Sequence, residues 1–218
     1  MNQVTEMMLR EQSAAVVKSH KEVDVSYLFL TCKRIIDFFL SLSLLLITSP
    51  IIALLIIWIK YESPGPALYV QERVGYRGKM IRVFKLRSMY IDAEKDGPRW
   101  AVRNDSRITK VGGFIRRTRL DELPQLINVL RNDMSLIGPR PERYAFMLQF
   151  SEKIPGFMNR VLVKPGLTGW AQVNGGYDLT PEEKFEYDMY YIHHYSAWLE
   201  TKIFFKTIFI VLTGKGAR

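Results

Sequence analysis

RRTRLDELPQLINVLRNDMSLIGPRPE, residues 116–142, is the stretch on which the reading of this chain turns. Leu123, Leu126, Ile127 and Leu130 recur at the i, i+3, i+4, i+7 spacing of one helix face. Pro124 stands near the start of that stripe, and proline fits a helix only in its first turn. The spacing therefore predicts a helix that begins close to Asp121. Asp121 and Glu122 then sit at its amino end, where free N–H groups and the helix dipole favour ionised carboxylates. Arg116, Arg117 and Arg119 precede the pair, and Arg140 follows, held between Pro139 and Pro141. Two adjacent carboxylates among arginines suit phosphate, metal or covalent chemistry. The plainer reading is a helix cap, since Thr118 three residues before Asp121 has the spacing of a capping box. Spacing alone leaves the two readings level, and the flanking chain decides between them.

Downstream, Met134 to Ile137 reads as a short strand running into the rigid Gly138-Pro139-Arg140-Pro141. A guanidinium fixed between two prolines is pre-organised for bidentate phosphate contact. Glu142 to Arg160 is expected to be helical, and VKPGLTGWAQVNGG, residues 163–176, to be a loop. That loop can wrap a nucleotide, which makes Gly166, Thr168, Trp170 and Gln172 candidates for substrate contact. Residues 181–195 read as a helix capped by Thr180-Pro181-Glu182-Glu183. Trp198 to Leu212 is strongly apolar but carries Lys202 and Lys206 at i, i+4, which fits a helix lying in a membrane interface or, equally, a core helix.

Upstream, residues 92–112 are polar and loop-like, with Gly97-Pro98 and Asn104-Asp105-Ser106 as turn signals, and a short helix is expected from Phe114. Ala67 to Val74 and Met80 to Met89 read as a hairpin turning at Gly75 and Gly78. Alternation puts Val83, Lys85 and Arg87 on one face of the second strand, where Lys85 and Arg87 fit an anion site or, equally, a solvated strand face. Ile35 to Ile59 is a run of 25 residues whose only charge is Asp37. Roughly 20 apolar residues suffice to cross a bilayer. Pro50 at its middle removes a helical hydrogen bond and clashes with the carbonyl of Leu46, while Thr48 and Ser49 can bond freed backbone groups. The flanks are basic on both sides, with Lys33 and Arg34 before and Lys60, Arg73, Arg77 and Lys79 after. Since basic flanks stay cytoplasmic, the pattern predicts a helix that dips in and returns, with a kinked transmembrane helix as the alternative. Residues 1–30 are an extension, helical or loose, without the basic start of a secretory signal.

Composition agrees with an anionic partner: 31 Lys and Arg against 22 Asp and Glu leave a net charge of +9. The single cysteine, Cys32, forms no intrachain disulfide. Adjacent His193 and His194 diverge on a helix, which argues against a zinc site, and neither a P-loop nor a Gly-x-Gly-x-x-Gly fingerprint occurs. Nucleic-acid binding would account for the charge but not for the apolar run or the paired acids. A non-catalytic membrane scaffold gives no reason for Asp121 and Glu122.

In order along the chain, KRIID at 33–37, the Ser49-Pro50 pair, Gln71-x-Arg73-x-Gly75, FKLRSM at 84–89, LDELPQLINVL at 120–130, DMSLIGPRP at 133–141 and PGLTGWAQVNG at 165–175 carry a resemblance. Together they resemble the bacterial sugar transferases, monotopic phosphoglycosyl transferases that load a sugar phosphate onto a polyprenyl phosphate. Only the first 30 residues fall outside the resemblance, and the large N-terminal membrane domain of longer relatives is not expected. The resemblance implies a mixed, helix-rich α/β monotopic membrane protein: a re-entrant hairpin over 31–61 bent at Ser49-Pro50, and a cytoplasmic catalytic domain over 62–218 with interfacial helices. Lys33, Arg34 and Asp37 belong to that hairpin. It implies Asp121 as the nucleophile that takes sugar phosphate from a UDP-sugar and releases UMP, with polyprenyl phosphate as the second substrate, and Glu122 together with Asp121 at a Mg²⁺ site. Arg73, Lys85, Arg87, Arg116, Arg140 and Pro141 are expected around the substrate. The expected place is the cytoplasmic face of a bacterial plasma membrane, with a homo-oligomer left open and no nucleic-acid partner. The alternative reaction is glycosyl transfer giving a polyprenyl-monophosphate sugar and UDP, against which the lack of an Asp-x-Asp motif counts.

Overall fold

The structure, a computed structural model, describes residues 25–95, 97, 105–176 and 179–214. Most of the N-terminal extension and the turn signals at Pro98 and Asn104 lie outside the described residues. The apolar run forms one helix, α1, Tyr27–Glu62, of 36 residues. Helical backbone runs on through Ser49 and Pro50, so the bend expected there does not end the helix. The reason is local. Pro50 has no N–H to give the Leu46 carbonyl, and Ser49 Oγ donates to that carbonyl instead at 2.8 Å, while Thr48 Oγ1 bonds Leu44 O at 2.7 Å. By length and composition α1 could cross a membrane. Lys33, Asp37, Ser41, Leu55 and Ile59 are buried against the rest of the protein, and the other faces stay largely exposed.

Both ends of α1 are tied down. Near its start, Lys33 Nζ donates to Ile137 O (3.2 Å) and pairs with Glu200 (2.5 Å), and Arg34 donates to Val129 O and Leu130 O. Asp37 accepts from Ser135 Oγ at 2.7 Å and from Leu136 N–H at 3.2 Å. At its end, Glu62 accepts from the Lys110 and Val111 N–H groups, and Leu55 and Ile59 share a core with Ala67, Leu86, Val111 and Ile115.

The hairpin forms as expected from strands β1, Leu68–Val74, and β2, Met80–Leu86, in antiparallel register with Val70 opposite Phe84; the second strand ends three residues earlier than Met89. Helix α2 spans Lys110–Arg117 and starts before Phe114, because Thr109 caps it by accepting from Gly112 N–H. Thr118 ends this helix and bonds back to Phe114 O, so it is no capping box for the acids that follow. A 3-10 helix, Leu120–Gln125, then leads into α3, Leu126–Leu130. Pro124 thus closes a 3-10 segment rather than opening an α-helix.

Strand β3, Ser135–Ile137, pairs in parallel with β4, Gly166–Thr168, which lies where a loop was expected; helix α5, Trp170–Asn174, follows it. The chains touch where Gly138 meets Gly166: a Cβ on Gly166 would lie 2.1 Å from Gly138 N, so no side chain fits. The expected helix over 142–160 is split into α4, Tyr144–Lys153, and a 3-10 segment, Phe157–Leu162. Pro155 disfavours helix in the residue before it, and Gly156 turns the chain at φ 79°. Helix α6, Pro181–His193, is capped by Thr180 as expected, with Glu183 completing a capping box, and α7 spans Ala197–Thr213. Leu199 and Ile203 of α7 pack with Ile137, Val163, Val173, Tyr191 and Ile192 in a second core.

Candidate active site

The two acids are presented by a turn that only tertiary structure explains. Arg119, between α2 and the 3-10 helix, adopts a left-handed backbone with φ 58°, a conformation that costs a non-glycine residue roughly 1 kcal/mol. The reversal lays the 3-10 helix along β2. There Asn128 completes the strand edge, accepting from Phe84 N–H at 3.1 Å and donating to Arg82 O at 2.6 Å. In β2, Ile81 and Val83 enter a core with Val129 and Met134, and Lys85, next on that face, emerges at the acids.

Glu122 is clamped. Its carboxylate accepts from Lys85 Nζ at 3.0 Å and from both terminal nitrogens of Arg140, one at 3.3 Å. Burial pushes the Glu122 carboxyl up, but Arg140 and Lys85 outweigh it and hold it well below the usual carboxylate range. Asp121 differs. It is buried to 8% exposure and accepts no hydrogen bond from the described residues. Burial pushes its carboxyl up to about 6, the Glu122 charge adds to this, and Lys85, Arg116 and Arg140 oppose it. Burial also depresses the Lys85 ammonium, against the pull of Glu122. Two neighbouring carboxylates thus have separate environments: one neutralised by fixed cations, the other without such a bond among the described residues and facing the same positive field.

Arg140 is braced from behind. Its carbonyl accepts from Arg160 Nη2 at 3.0 Å, and Arg160 Nε pairs with buried Asp188 at 2.7 Å. Nothing in the sequence signalled Arg160, Asp188 or Asn128, because their partners lie 20 to 46 positions away. Arg73 does not bond the acids: it donates to Gln71 and to Pro141 O, and lies 3.7 Å from Glu142. Burial lowers it to about 10, Glu142 opposes this, and Arg140 and Arg143 add to it. It therefore supports the Pro141 turn. Arg87, beyond the end of β2, donates to Ser63 O and Pro64 O at 2.7 Å and holds the exit of α1. Arg116 reaches Asp121 through its charge alone.

The expected loop residues make contacts of their own, and Gly166 and Thr168 pair with the segment that carries Arg140. Thr168 Oγ1 bonds Thr207 of α7 at 2.8 Å, and Trp170 stacks on Tyr190 beneath Lys202 and Lys206. Gly166 serves the strand contact, and both amide atoms of Gln172 are buried without partners. Among the described residues no three His, Cys, Asp or Glu side chains gather as a metal cluster. The Asp121–Glu122 pair nevertheless fits Mg²⁺, which takes one or two carboxylates, keeps waters and draws its remaining oxygens from substrate phosphates.

Fold and site together define a class: a long apolar helix docked on a small α/β domain with paired acids in a cationic setting. The model of the family described as bacterial sugar transferase matches residues 28–214, and the chain belongs to that family. It is 46% identical over 189 residues to the UDP-N-acetylgalactosamine-undecaprenyl-phosphate N-acetylgalactosaminephosphotransferase of Aeromonas hydrophila, covering 85% of this chain and 45% of that protein. It is 44% identical over 190 residues to the UDP-glucose:undecaprenyl-phosphate glucose-1-phosphate transferase of Escherichia coli K12, covering 85% and 41%. The exopolysaccharide production protein PSS of Rhizobium leguminosarum is 40% identical over 197 residues, with 86% and 98% covered. The chain thus spans less than half the length of the first two of these relatives.

Proposed function

We propose that this chain transfers a sugar-1-phosphate, that of a hexose, from a UDP-sugar to undecaprenyl or a related polyprenyl phosphate, giving a polyprenyl-diphosphate sugar and UMP. The observation that carries this reading is the unequal pair. Glu122 is locked to Lys85 and Arg140, while Asp121 has no hydrogen bond from the described residues and lies in their field. The names of the Aeromonas and Escherichia relatives carry the same two substrates with different sugars.

In the first step an Asp121 oxygen attacks the sugar-bound phosphorus. A P–O bond forms to Asp121, and the P–O bond to UMP breaks, the bonding pair leaving with UMP. In the second step an oxygen of polyprenyl phosphate attacks that phosphorus and expels the Asp121 carboxylate. Such ping-pong chemistry splits one hard displacement into two. An anion attacking a diphosphate needs positive charge already in place, which Arg140, Lys85 and Arg116 provide. Mg²⁺ held by Asp121 and Glu122 supplies Lewis-acid neutralisation of the phosphate oxygens when bound.

The acceptor's chemistry puts the site at a membrane, on the cytoplasmic face of a bacterial plasma membrane. Re-entry of α1 is favoured by its tethers. Lys33, Arg34 and Asp37 at one end and Glu62 at the other bind one and the same domain, whereas a crossing helix sends its ends to opposite sides of a core about 30 Å thick. The test is nucleotide product analysis with UDP-hexoses and undecaprenyl phosphate: UMP supports the reading, and UDP replaces it with simple glycosyl transfer.

A further inference from the structure

Helix α7 has three sides, and only one of them meets the protein core. At 100° per residue, Leu199, Ile203 and Ile210 project toward that core. On the opposite side Trp198, Phe205, Phe209 and Leu212 are exposed by 57–81%. Along one flank, between the two, stand Lys202 and Lys206. Their ammonium groups lie 5.2 and 4.7 Å from the centre of the same Trp170 ring, which Tyr190 backs by stacking at 5.8 Å. Asn174 Oδ1 fixes Lys206 at 2.7 Å, and neither lysine pairs with an acid among the described residues. Burial and the charge of Lys202 both depress the Lys206 ammonium, so the pair repels itself as it stands. The acid of this helix, Glu200, faces away and is taken by Lys33 and Tyr191.

Two cations held side by side on a ring, at the edge of an exposed apolar helix face, match the layout of an amphiphile with a negative head. We propose that Lys202 and Lys206, seated on Trp170, bind the phosphate headgroup of one anionic bilayer phospholipid, whose chains lie along Trp198, Phe205 and Phe209. Among the described residues the contacts of this cluster go to Trp170, Tyr190 and Asn174 and none to Asp121, Glu122 or Lys85, which favours a lipid of the membrane over the reacting acceptor. The proposal rests on the membrane attachment inferred above. It gives α7 a sidedness that attachment by apolar contact lacks, orienting the domain by its headgroup contact.

Native mass spectrometry of the full chain in detergent, titrated separately with phosphatidylglycerol and phosphatidylcholine, tests it. Near a surface each lysine favours an anionic lipid by an amount that, for two, corresponds to a preference of about thirtyfold. One phosphatidylglycerol should bind at about that much lower concentration than phosphatidylcholine. Lys202→Gln with Lys206→Gln should abolish the preference, and Lys202→Arg with Lys206→Arg should keep it. Removing the same charge by Lys79→Gln with Lys153→Gln should leave it intact. Equal binding of both lipids by the native chain overturns the site but leaves the membrane reading standing; binding of neither overturns both. Loss of preference in the Lys79/Lys153 control shows diffuse charge and no site. Inorganic phosphate binding equally well, or undecaprenyl phosphate displacing the lipid one for one, overturns the assignment to a bilayer phospholipid.

Discussion

Replacing Asp121 by Asn should abolish turnover and, at neutral pH, make the fold more stable. The folded-state pKa of Asp121 is raised from 3.8 to about 6, so its contribution is most favourable below about pH 4 and is lost as pH rises through about 6. The ionised carboxylate then costs the native state on the order of 1–3 kcal/mol. Melting curves should show Asp121→Asn above the native chain at pH 7.5 and level with it at pH 4; a destabilised variant at pH 7.5 would contradict this. In the native chain the rate should fall as acid protonates Asp121, since only the carboxylate attacks. Glu122 has the opposite sign. Its pKa is held down by Arg140 and Lys85, so it stabilises the fold above about pH 4.5, and that gain is lost in acid. Glu122→Gln removes the charge that pairs with Lys85 and Arg140 in a largely buried place and should cost about 3 kcal/mol, read by chemical denaturation at pH 7. The amide is also a poorer ligand for a hard cation, so part of the lost activity should return at raised Mg²⁺. An unchanged Mg²⁺ dependence would assign Glu122 to holding Lys85 and Arg140 alone.

At the level of elements, the parts legible in the sequence were those whose cause is local. Alternation in β2 correctly put Val83 and Lys85 on one face, and the Thr180 cap announced α6. What could not be read depends on distant partners. Lys33, Arg34 and Asp37 looked like topological charges, yet they bond residues 95 to 167 positions away. Trp170 sits in a glycine-rich stretch that reads as a nucleotide loop, but α7 had to fold back before its ring had a place. Arg87 bonds Ser63 and Pro64 because the strand ends one residue before it, a contact no local pattern announces. For α1 the decisive element test is topology. With Cys32 replaced by Ser, single cysteines at Leu28 and Tyr61, 70% and 90% exposed, should both label only from the cytoplasmic side. Ser49→Ala with Pro50→Ala removes the bond to Leu46 O and the missing donor together, and should let a fraction of molecules cross. Lys33 and Arg34 oppose that inversion, so a mixed population is expected. Labelling of the residue-28 cysteine from the far side in otherwise native protein would show an ordinary crossing helix.

For the whole molecule, the arrangement joins lipid and site through few parts. Helix α1 meets β3 through Lys33 and Asp37, β3 leads directly into Gly138-Pro139-Arg140, and Arg140 grips Glu122. Helix α7 closes the same side through Glu200 on Lys33 and Thr207 on Thr168. On the proposed function, a domain held at one height by its apolar helices would present Asp121 to a nucleotide sugar from the aqueous side and to a lipid phosphate from the membrane. The claim at the centre of this account is that sugar phosphate rests on Asp121 between the two substrates. Mixing the purified chain with a β-³²P-labelled UDP-sugar, without acceptor, and following label and nucleotide together, measures that directly. The account predicts UMP release and protein-bound label in equal amounts, at most one per site, neither formed by Asp121→Asn. Release of UDP, or no UMP and no bound label until polyprenyl phosphate is added, would contradict it.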